Sequence, residues 1–352
     1  MVNSKTDFFK IVNNFSRIEE IESIPIVKAR FDTPPQINIV IPTHKRVNLL
    51  KDAIKSVLAQ QEYTNFELIV VDDDPNRNCQ TEELLKSYSD GRISYYKNSQ
   101  NLGMINNWNR CFELACGDWV VMLHDDDLLL PSFLKDCMAL LEKQPQIGML
   151  KPKWYHWNDD GKELIVPEQE SSNTLKRIYE ISHLNQNLIG APTGIIINKE
   201  KFTAIGGFNP EFFPSSDKCF TTLFAYYFEV YELDKVLSVY RWLLNDSLKV
   251  EVLRGFLVND YYLFKYLCKR FGFPKPLANN FLNFKFRNIV GYYKSINPNF
   301  DFDKSIIGLK PVHKIPGKVA FILTNRLVAF YNKIYSKYGE RIFEKRQQKL
   351  EC

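Results

Sequence analysis

Hydrophobic positions alternate between two periodicities from Ile37 onward. A short β-branched run, Ile37–Ile41, ends at Pro42 and predicts a buried strand. Between Leu49 and Leu58 the apolar residues then recur at helical spacing. The same alternation continues with strands predicted at 67–71, 92–96 and 119–123 and a helix at 103–115. Strands that alternate with helices predict an α/β fold with a mainly parallel sheet flanked by helices.

Two changes in the residue pattern divide the chain into three segments. Residues 1–36 end at Pro34 and Pro35, which interrupt regular structure, and we expect them to form an N-terminal arm appended to the fold. Residues 37–244 carry the α/β pattern, with a first half at 37–127 and a second half at 128–244. Residues 245–352 are rich in aromatic and basic residues and predict a helical C-terminal region.

Composition narrows the class of protein. The chain has 352 residues and a formal net charge of +5, which is too small to call for a nucleic acid partner. Its seven cysteines show no C-x-x-C spacing and are interpreted as reduced thiols. No signal-peptide core is expected at the N-terminus, and no stretch reaches the ~18 apolar residues of a spanning helix. We therefore expect a cytoplasmic protein.

The C-terminal segment is unusually basic. Residues 310–352 hold ten basic and three acidic residues. An apolar stripe runs beside the cations at helical spacing, through Leu323, Leu327, Phe330, Ile334, Tyr338 and Ile342. Such a helix can pack on the rest of the protein or on a second subunit. It can also dock to an anionic membrane surface, which would make the protein peripheral on the inner face of the plasma membrane.

Three consecutive carboxylates, Asp125–Asp127, follow the predicted strand at 119–123. Adjacent like charges disfavour one another, so a divalent cation at this position would stabilise them. Mg²⁺ or Mn²⁺ takes carboxylate oxygens and leaves other positions for phosphates. Asp127 could instead cap the helix that follows Pro131.

A second acidic strand end, Asp72–Asp74, follows the strand at 67–71. A carboxylate there can accept a hydrogen bond from a ribose hydroxyl or a base N–H, although Asp before Pro75 is also common turn chemistry. Parallel strands bring such ends to one crevice, where ligands bind in open α/β sheets. The two acidic ends together therefore predict a nucleotide site.

An ordered set of motifs resembles the family 2 glycosyltransferases of GT-A fold over about two hundred residues. No single motif decides this resemblance, because the specificity lies in their order and spacing. The motifs are Ile41-Pro42-Thr43, Val71-Asp72-Asp73, Asn101-Leu102-Gly103 with Asn109, Gly117-Asp118, His124 to Asp127, Gly206-Gly207-Phe208 and Ser215-Ser216-Asp217.

The resemblance implies a nucleotide-sugar donor, with a UDP-sugar as the expected class. It implies that Pro42 and Thr43 line the nucleotide and that Asp73 pairs with the base. Arg46 would approach the diphosphate, and Gly103 belongs to a donor-binding motif. The first half of the α/β region would then bind the nucleotide and the second half the acceptor.

The resemblance also implies that Asp126 holds Mn²⁺ or Mg²⁺ and that Asp125 contacts the donor ribose. His124 stands where many relatives carry the first Asp of a D-x-D motif. A neutral imidazole at that position could still coordinate manganese or donate to the sugar.

Asp217 matches the catalytic base of the family. Attack on an anomeric carbon requires the acceptor hydroxyl to lose its proton, and one carboxylate on the opposite face from the diphosphate implies inversion. An α-linked donor would then give a β-glycoside. The alternative is that Asp217 caps the helix through Phe220 and Phe224.

The expected acceptor is a carbohydrate or lipid-linked carbohydrate, as in bacterial surface polysaccharide assembly of the O-antigen or capsule type. Trp154 and Trp157 are candidate acceptor contacts, because aromatic faces suit sugar rings, although core packing would also explain them. Tyr240-Arg241-Trp242 lacks the Gln of a Gln-x-x-Arg-Trp motif, which favours transfer of a single sugar over polymer synthesis.

Two rival functions stay open at this stage. A sugar nucleotidyltransferase would usually carry a glycine-rich loop after the first strand, whereas this chain has Pro42-Thr43-His44-Lys45-Arg46. A non-catalytic membrane-surface assembly protein could use a degenerate transferase scaffold, but the presence of both Asp126 and Asp217 argues against degeneracy.

Overall fold

The computed structural model describes residues 2–159, 164–167, 172–184, 190–242, 248–303, 306–308 and 316–348. The strands are β1 (Ser23–Val27), β2 (Ile37–Thr43), β3 (Phe66–Asp72), β4 (Ile93–Asn98), β5 (Trp119–Met122), β6 (Leu128–Leu129), β7 (Ile147–Asn158), β8 (Leu175–Ile178), β9 (Ile195–Asn198) and β10 (Glu229–Trp242). The helices are α1 (Val47–Leu58), α2 (Gln80–Ser87), α3 (Met104–Leu114), α4 (Phe133–Lys143), α5 (Lys199–Ala204), α6 (Ser216–Tyr227), α7 (Val250–Arg270), α8 (Lys275–Ile296) and α9 (Gly317–Gln347).

The first half has the predicted alternation of strands and helices. Strands β4, β3, β2 and β5 lie side by side and are all parallel. The seven residues of β2 are buried or nearly so, because α1 covers one face of the sheet and α3 the other. The carboxyl ends of β2, β3 and β5 therefore open at one edge, where the acidic residues follow.

The second half is a mixed extension of the same sheet. Strand β9 inserts antiparallel between β5 and β7, and β7 pairs in parallel with the long strand β10. Strands β6 and β8 pair antiparallel with β10. The α/β expectation is confirmed, with the parallel character confined to β2–β5 and the β7–β10 pair.

The N-terminal segment is an integral part of the fold and not the expected appendage. Strand β1 pairs antiparallel with β4 at the sheet edge. Phe8 and Phe9 are buried in the core, and the Asn14 side chain donates to the carbonyl of Gly206 at 3.0 Å. The prolines at 34 and 35 therefore separate two strands of one sheet and do not mark a domain boundary.

The predicted helical C-terminal region consists of α7, α8 and α9, and the expected boundary at 244/245 lies outside the described residues. Helix α9 packs through a buried face that includes Ala320, Thr324, Val328 and Tyr335. The predicted apolar stripe divides between two sides of the helix: Leu327 and Ile342 pack against the core, whereas Phe330 and Tyr338 are 59% and 49% exposed. Among the described helices, none is both long enough and apolar enough to cross a membrane.

A buried ion pair joins the two strands beside the site. The Lys97 ammonium on β4 donates to Asp72 Oδ2 at the end of β3 at 2.8 Å, and both side chains are at most 1% exposed. The Tyr95 hydroxyl donates to the same oxygen. Since removal of one partner leaves the other charge buried and unpaired, this contact is costly to break.

We expect Lys97→Met to lower the free energy of unfolding by about 3 kcal/mol or more, since the Asp72 carboxylate would lose its countercharge. The matched control is Lys86→Met. The Lys86 side chain pairs with Glu82 and is 50% exposed, so this change should lower the free energy of unfolding by less than about 1 kcal/mol. Urea unfolding of both variants measures the difference. Equal losses would contradict the interpretation.

Candidate active site

The ends of three neighbouring strands form the floor of the candidate site. Thr43 at the end of β2 lies beside Asp72 at the end of β3 in the parallel register. The backbone N–H of Asp73 donates to the Thr43 carbonyl at 2.9 Å, and the backbone N–H of Leu123 donates to the Val40 carbonyl at 3.0 Å. His124 and then Asp125–Asp127 follow Leu123, so the two predicted acidic ends do meet at one edge of the sheet.

Asp125 and Asp126 are held by residues at and just after the end of β2. The Thr43 hydroxyl donates to Asp125 Oδ2 at 2.8 Å, and the Arg46 guanidinium donates to Asp125 Oδ1 at 2.9 Å. Arg46 also donates to Asp126 Oδ2 at 2.8 Å. Burial raises the pKa of Asp125 to about 6, against the lowering effect of Arg46. Arg46 therefore neutralises part of the carboxylate cluster in this structure.

Asp127 belongs to the predicted carboxylate cluster, although the sequence-based interpretation singled out only Asp126 as the metal ligand. Helix α4 begins at Phe133 with Ser132 as its N-cap residue, so Asp127 does not cap it. Its Oδ1 accepts the backbone N–H of Arg241 at 2.8 Å, and the Thr193 hydroxyl lowers the pKa of its carboxyl. The side chain is fully buried, and this burial raises its pKa to about 7.

His124 completes the cluster. Its ring stacks on Trp108 with centroids 5.4 Å apart, and its Nδ1 lies 3.7 Å from Asp127 Oδ2. Burial lowers the pKa of His124 to about 4, so the ring is neutral at physiological pH. Among the described residues, His124 Nε2 and Asp127 Oδ2 have no hydrogen-bond partner although both atoms are buried.

This arrangement fits a divalent metal ion. His124, Asp126 and Asp127 each offer one ligand atom, and these atoms all lie within 4.8 Å of one another. Two carboxylate oxygens and a neutral imidazole suit Mn²⁺, and the carboxylates alone suit Mg²⁺. The predicted ligand Asp126 thus belongs to a larger candidate set.

Asp73 contacts the loop that precedes α3. Its carboxylate accepts the backbone N–H groups of Leu102 and Gly103 at 2.8 and 2.9 Å and the Asn98 amide at 2.9 Å. Gly103 is the N-cap residue of α3, and its φ of +77° is a conformation that favours glycine. The described contacts of Asp73 thus position the loop, and base pairing by Asp73 stays a prediction. Pro42 is partly buried within β2.

Asp217 lies in the first turn of α6, on the layer that covers the opposite face of the sheet from α1. The N-cap residue of this helix is Ser215, and its hydroxyl donates to Asp260 on α7 at 2.9 Å. The ammonium of Lys218 also pairs with Asp260. Because Ser215 occupies the cap, the expected alternative role of Asp217 as a helix cap is wrong. Burial raises the pKa of Asp217 to about 6.

Half-exposed aromatic side chains line the adjacent ends of β7 and β10. Ring centroids lie 5.8 Å apart between Trp154 and Tyr240, 5.5 Å between Tyr240 and His156, and 5.3 Å between His156 and Trp242. We call these four residues the aromatic ladder. Trp157 does not belong to it, because strand alternation directs Trp157 to the other face, where the Arg241 guanidinium lies 4.7 Å from its ring.

The inner end of the aromatic ladder reaches the acidic cluster through two buried residues. The Lys151 ammonium lies 3.8 Å from the Trp154 ring centroid and donates to the Thr193 carbonyl at 2.7 Å. Thr193 in turn lies close enough to Asp127 to lower the pKa of its carboxyl. A half-exposed aromatic surface therefore begins next to the candidate metal site.

Comparison with known proteins decides the family. The sequence model of glycosyl transferase family 2 matches residues 38–206. The chain carries a family 2 glycosyltransferase domain. The transferase domain is 30% identical over 156 residues to an uncharacterized glycosyltransferase, MJ1057, of Methanocaldococcus jannaschii. This match covers 43% of this chain and 53% of that protein. It is 33% identical over 105 residues to the GalNAc(5)-diNAcBac-PP-undecaprenol beta-1,3-glucosyltransferase of Campylobacter jejuni, covering 30% and 34% of the two chains.

These matches are partial, and the chain spans about half the length of the first curated relatives it matches. Solved structures share the GT-A fold with a larger part of the chain. S. aureus TarS 1-349 in complex with UDP-GlcNAc gives a TM-score of 0.52 at 18% identity, covering 86% of this chain and 92% of that one. The mannosyltransferase PcManGT from Pyrobaculum calidifontis, in complex with GDP-Man and Mn²⁺, gives 0.50 at 13% identity, covering 96% and 90%.

Of the site residues that were not singled out from the sequence, one carried a recognisable signal. Asp125 and Asp127 themselves form a D-x-D spacing, so Asp127 was visible in the sequence as a candidate ligand. Thr193 and Lys151 carried no such signal, because each reaches the site only through strand pairing between distant segments. Thr193 lies two residues before the strand β9, which pairs with β5.

For the metal site, we expect Asp127→Ala to weaken Mn²⁺ binding in the presence of UDP by at least about tenfold, as for loss of a direct ligand or its support. Asp125→Asn is the matched control, since Asp125 is not among the three residues of the candidate set. Calorimetric titration with MnCl₂ measures both affinities. If Asp125→Asn caused the larger loss, the assignment of the ligand set would be wrong.

Proposed function

We propose that this protein is an inverting glycosyltransferase that transfers a single sugar from a nucleotide-sugar donor, with UDP-sugar as the favoured class, to an acceptor hydroxyl. The observation that carries the proposal is the set of His124, Asp126 and Asp127 at the strand ends, with ligand atoms within 4.8 Å of one another. A divalent ion bound there would neutralise negative charge on the diphosphate leaving group. UDP-GlcNAc in the TarS structure and GDP-Man with Mn²⁺ in PcManGT support a donor of this kind.

In the proposed reaction Asp217 is the general base. The acceptor oxygen forms a bond to the anomeric carbon while the bond from that carbon to the diphosphate oxygen breaks, and its electron pair leaves with the diphosphate. The proton of the acceptor hydroxyl passes to the Asp217 carboxylate. Lys218 is held by Asp260 beside Asp217. Because the Lys218 ammonium pairs with Asp260, it does not form an ion pair with the Asp217 carboxylate, which stays available to accept the proton.

We further propose that the acceptor is a carbohydrate, carried on a lipid in bacterial surface polysaccharide assembly. The aromatic ladder supports a carbohydrate, because flat rings with polar tips suit the apolar faces and hydroxyl edges of sugars. The relative from Campylobacter jejuni, whose name specifies a glycan on diphospho-undecaprenol, supports the lipid carrier.

A donor panel tests the reaction. UDP-, GDP-, CMP- and dTDP-sugars would be assayed for binding and hydrolysis with Mn²⁺ or Mg²⁺, in the parent and in Asp217→Asn. We expect the variant to keep donor binding and to lose turnover by about 10²- to 10⁴-fold, the usual contribution of a general base. NMR of the product should show the anomer inverted. Binding of no nucleotide sugar under any metal condition would contradict the proposal.

The pH profile gives a second readout of the same base. Because burial raises the pKa of Asp217 to about 6, the carboxyl is protonated below that pH and cannot accept the hydroxyl proton. The rate should therefore fall as pH decreases through about 6 and level off above it. The residual activity of Asp217→Asn should lack this limb. An acidic limb that survives in the variant would assign it to another group.

The aromatic ladder is tested by Trp154→Ala and Tyr240→Ala. We expect each to raise the KM for an oligosaccharide acceptor about tenfold, the equivalent of about 1.4 kcal/mol, with donor hydrolysis unchanged. Trp157→Ala is the matched control on the opposite face and should leave this KM unchanged. If Trp157→Ala raised KM as much as the ladder variants, the acceptor would not be bound by this face.

A further inference from the structure

Helix α9 exposes apolar side chains on the face that points away from the protein. Val319, Ile322 and Leu323 are 43%, 44% and 39% exposed, and Phe330 is 59% exposed. Spacings of three, four and seven residues place them on one side of the helix. Scattered apolar residues are ordinary on a protein surface, but a stripe along one helix face indicates an interaction surface.

Packing of the helix does not require this face. The opposite side holds the buried residues Ala320, Thr324 and Val328, and Tyr335 stacks on Tyr179 at 5.2 Å. Near the end of the helix, Arg346 pairs with the buried carboxylate of Glu180 at 2.9 Å. The helix is therefore anchored to the transferase through one face, which fixes the orientation of the other.

Positive charge accompanies the exposed stripe. Arg326, Lys333 and Lys337 are exposed and fall on the same side of the helix at spacings of seven and four residues. Lys318 precedes them, and no Asp or Glu occurs between Gly317 and Tyr338. We call Val319, Ile322, Leu323, Arg326, Phe330, Lys333 and Lys337 the outward face of α9.

This mixture of residues distinguishes a lipid surface from a protein partner. Lysine is depleted at the centres of protein interfaces, and a symmetric pair of α9 helices would bring like charges together. At a membrane, apolar side chains enter the acyl boundary while Lys and Arg extend to anionic headgroups. The composition of the outward face fits the second situation.

We propose that the outward face of α9 docks the protein on an anionic phospholipid surface. This rests on the proposed function for its purpose, because a lipid-linked acceptor would be met at that surface. Docking itself requires neither donor nor acceptor. It orients the protein so that the face of α9 packed on Tyr179 and Glu180 points toward the transferase domain and away from the lipid.

Flotation with vesicles tests the proposal on the full chain. Vesicles of phosphatidylglycerol and phosphatidylcholine are compared with vesicles of phosphatidylcholine alone. The parent should float with the anionic vesicles only, and less at high salt. The triple variant Arg326→Glu, Lys333→Glu and Lys337→Glu should lose binding by about 100-fold or more, at about 1 kcal/mol for each cation.

The control variant carries the same change of charge elsewhere, as Lys51→Glu, Lys55→Glu and Lys143→Glu on exposed positions of α1 and α4. It should bind within about threefold of the parent, because screening confines the effect to charges near the surface. Phe330→Ser with Ile322→Ser tests the apolar part and should also lose binding. Circular dichroism melts check that every variant is folded.

Three outcomes would overturn the docking proposal: unchanged flotation of the α9 variants, an equal loss in the control variant, or a dimer in light scattering that Phe330→Ser dissociates. Donor hydrolysis without vesicles is measured in parallel and should be the same in all of these variants. Loss of flotation with hydrolysis intact supports docking. Absence of hydrolysis in the parent, with flotation intact, would count against the proposed function and not against docking.

Discussion

Repulsion among three adjacent carboxylates at the end of β5 is the constraint around which the crevice is organised. Asp125–Asp127 lie in or near the protein interior, where water cannot offset their charge. Arg46 and Thr43 stabilise Asp125 from the end of β2, while the Arg241 backbone and Thr193 stabilise Asp127 from the second half. Asp125 and Asp126 are thus supported from the first half of the fold and Asp127 from the second, and a cation between them would offset the remaining repulsion.

The parts of the fold that sequence reasoning recovered are those governed by local periodicity. Strands β2, β3, β4 and β5 and helices α1 and α3 follow from the alternation of periods 2 and 3.6, and the acidic strand ends follow from the parallel order. The antiparallel insertion of β9 and the incorporation of β1 depend on pairing between distant segments, which no local pattern encodes. Thr193 and Lys151 were missed for the same reason.

Alternation along a strand decides which face of the sheet a side chain lies on, and composition does not reveal this. Trp154 and Trp157 looked equivalent as aromatic residues in one segment, yet they are three positions apart and therefore face opposite sides of β7. A similar limit applies to α9, where spacing predicted a helix with an apolar stripe. Its members divide between a packed and an exposed side because aromatic and aliphatic residues occur around the helix, and only contact with the Tyr179 and Glu180 segment fixes the rotation of the helix.

The hydrogen bond from Arg241 to Asp127 has a consequence for how such chains can be recombined. The family match ends at residue 206, whereas a contact that supports the innermost carboxylate comes from the far end of β10. A shuffled protein that joined residues 38–206 to a foreign second half would inherit the motif while losing a backbone donor that supports it. Exchange of the loops around β7 and β10 would keep that donor in place, provided that the strands themselves are retained.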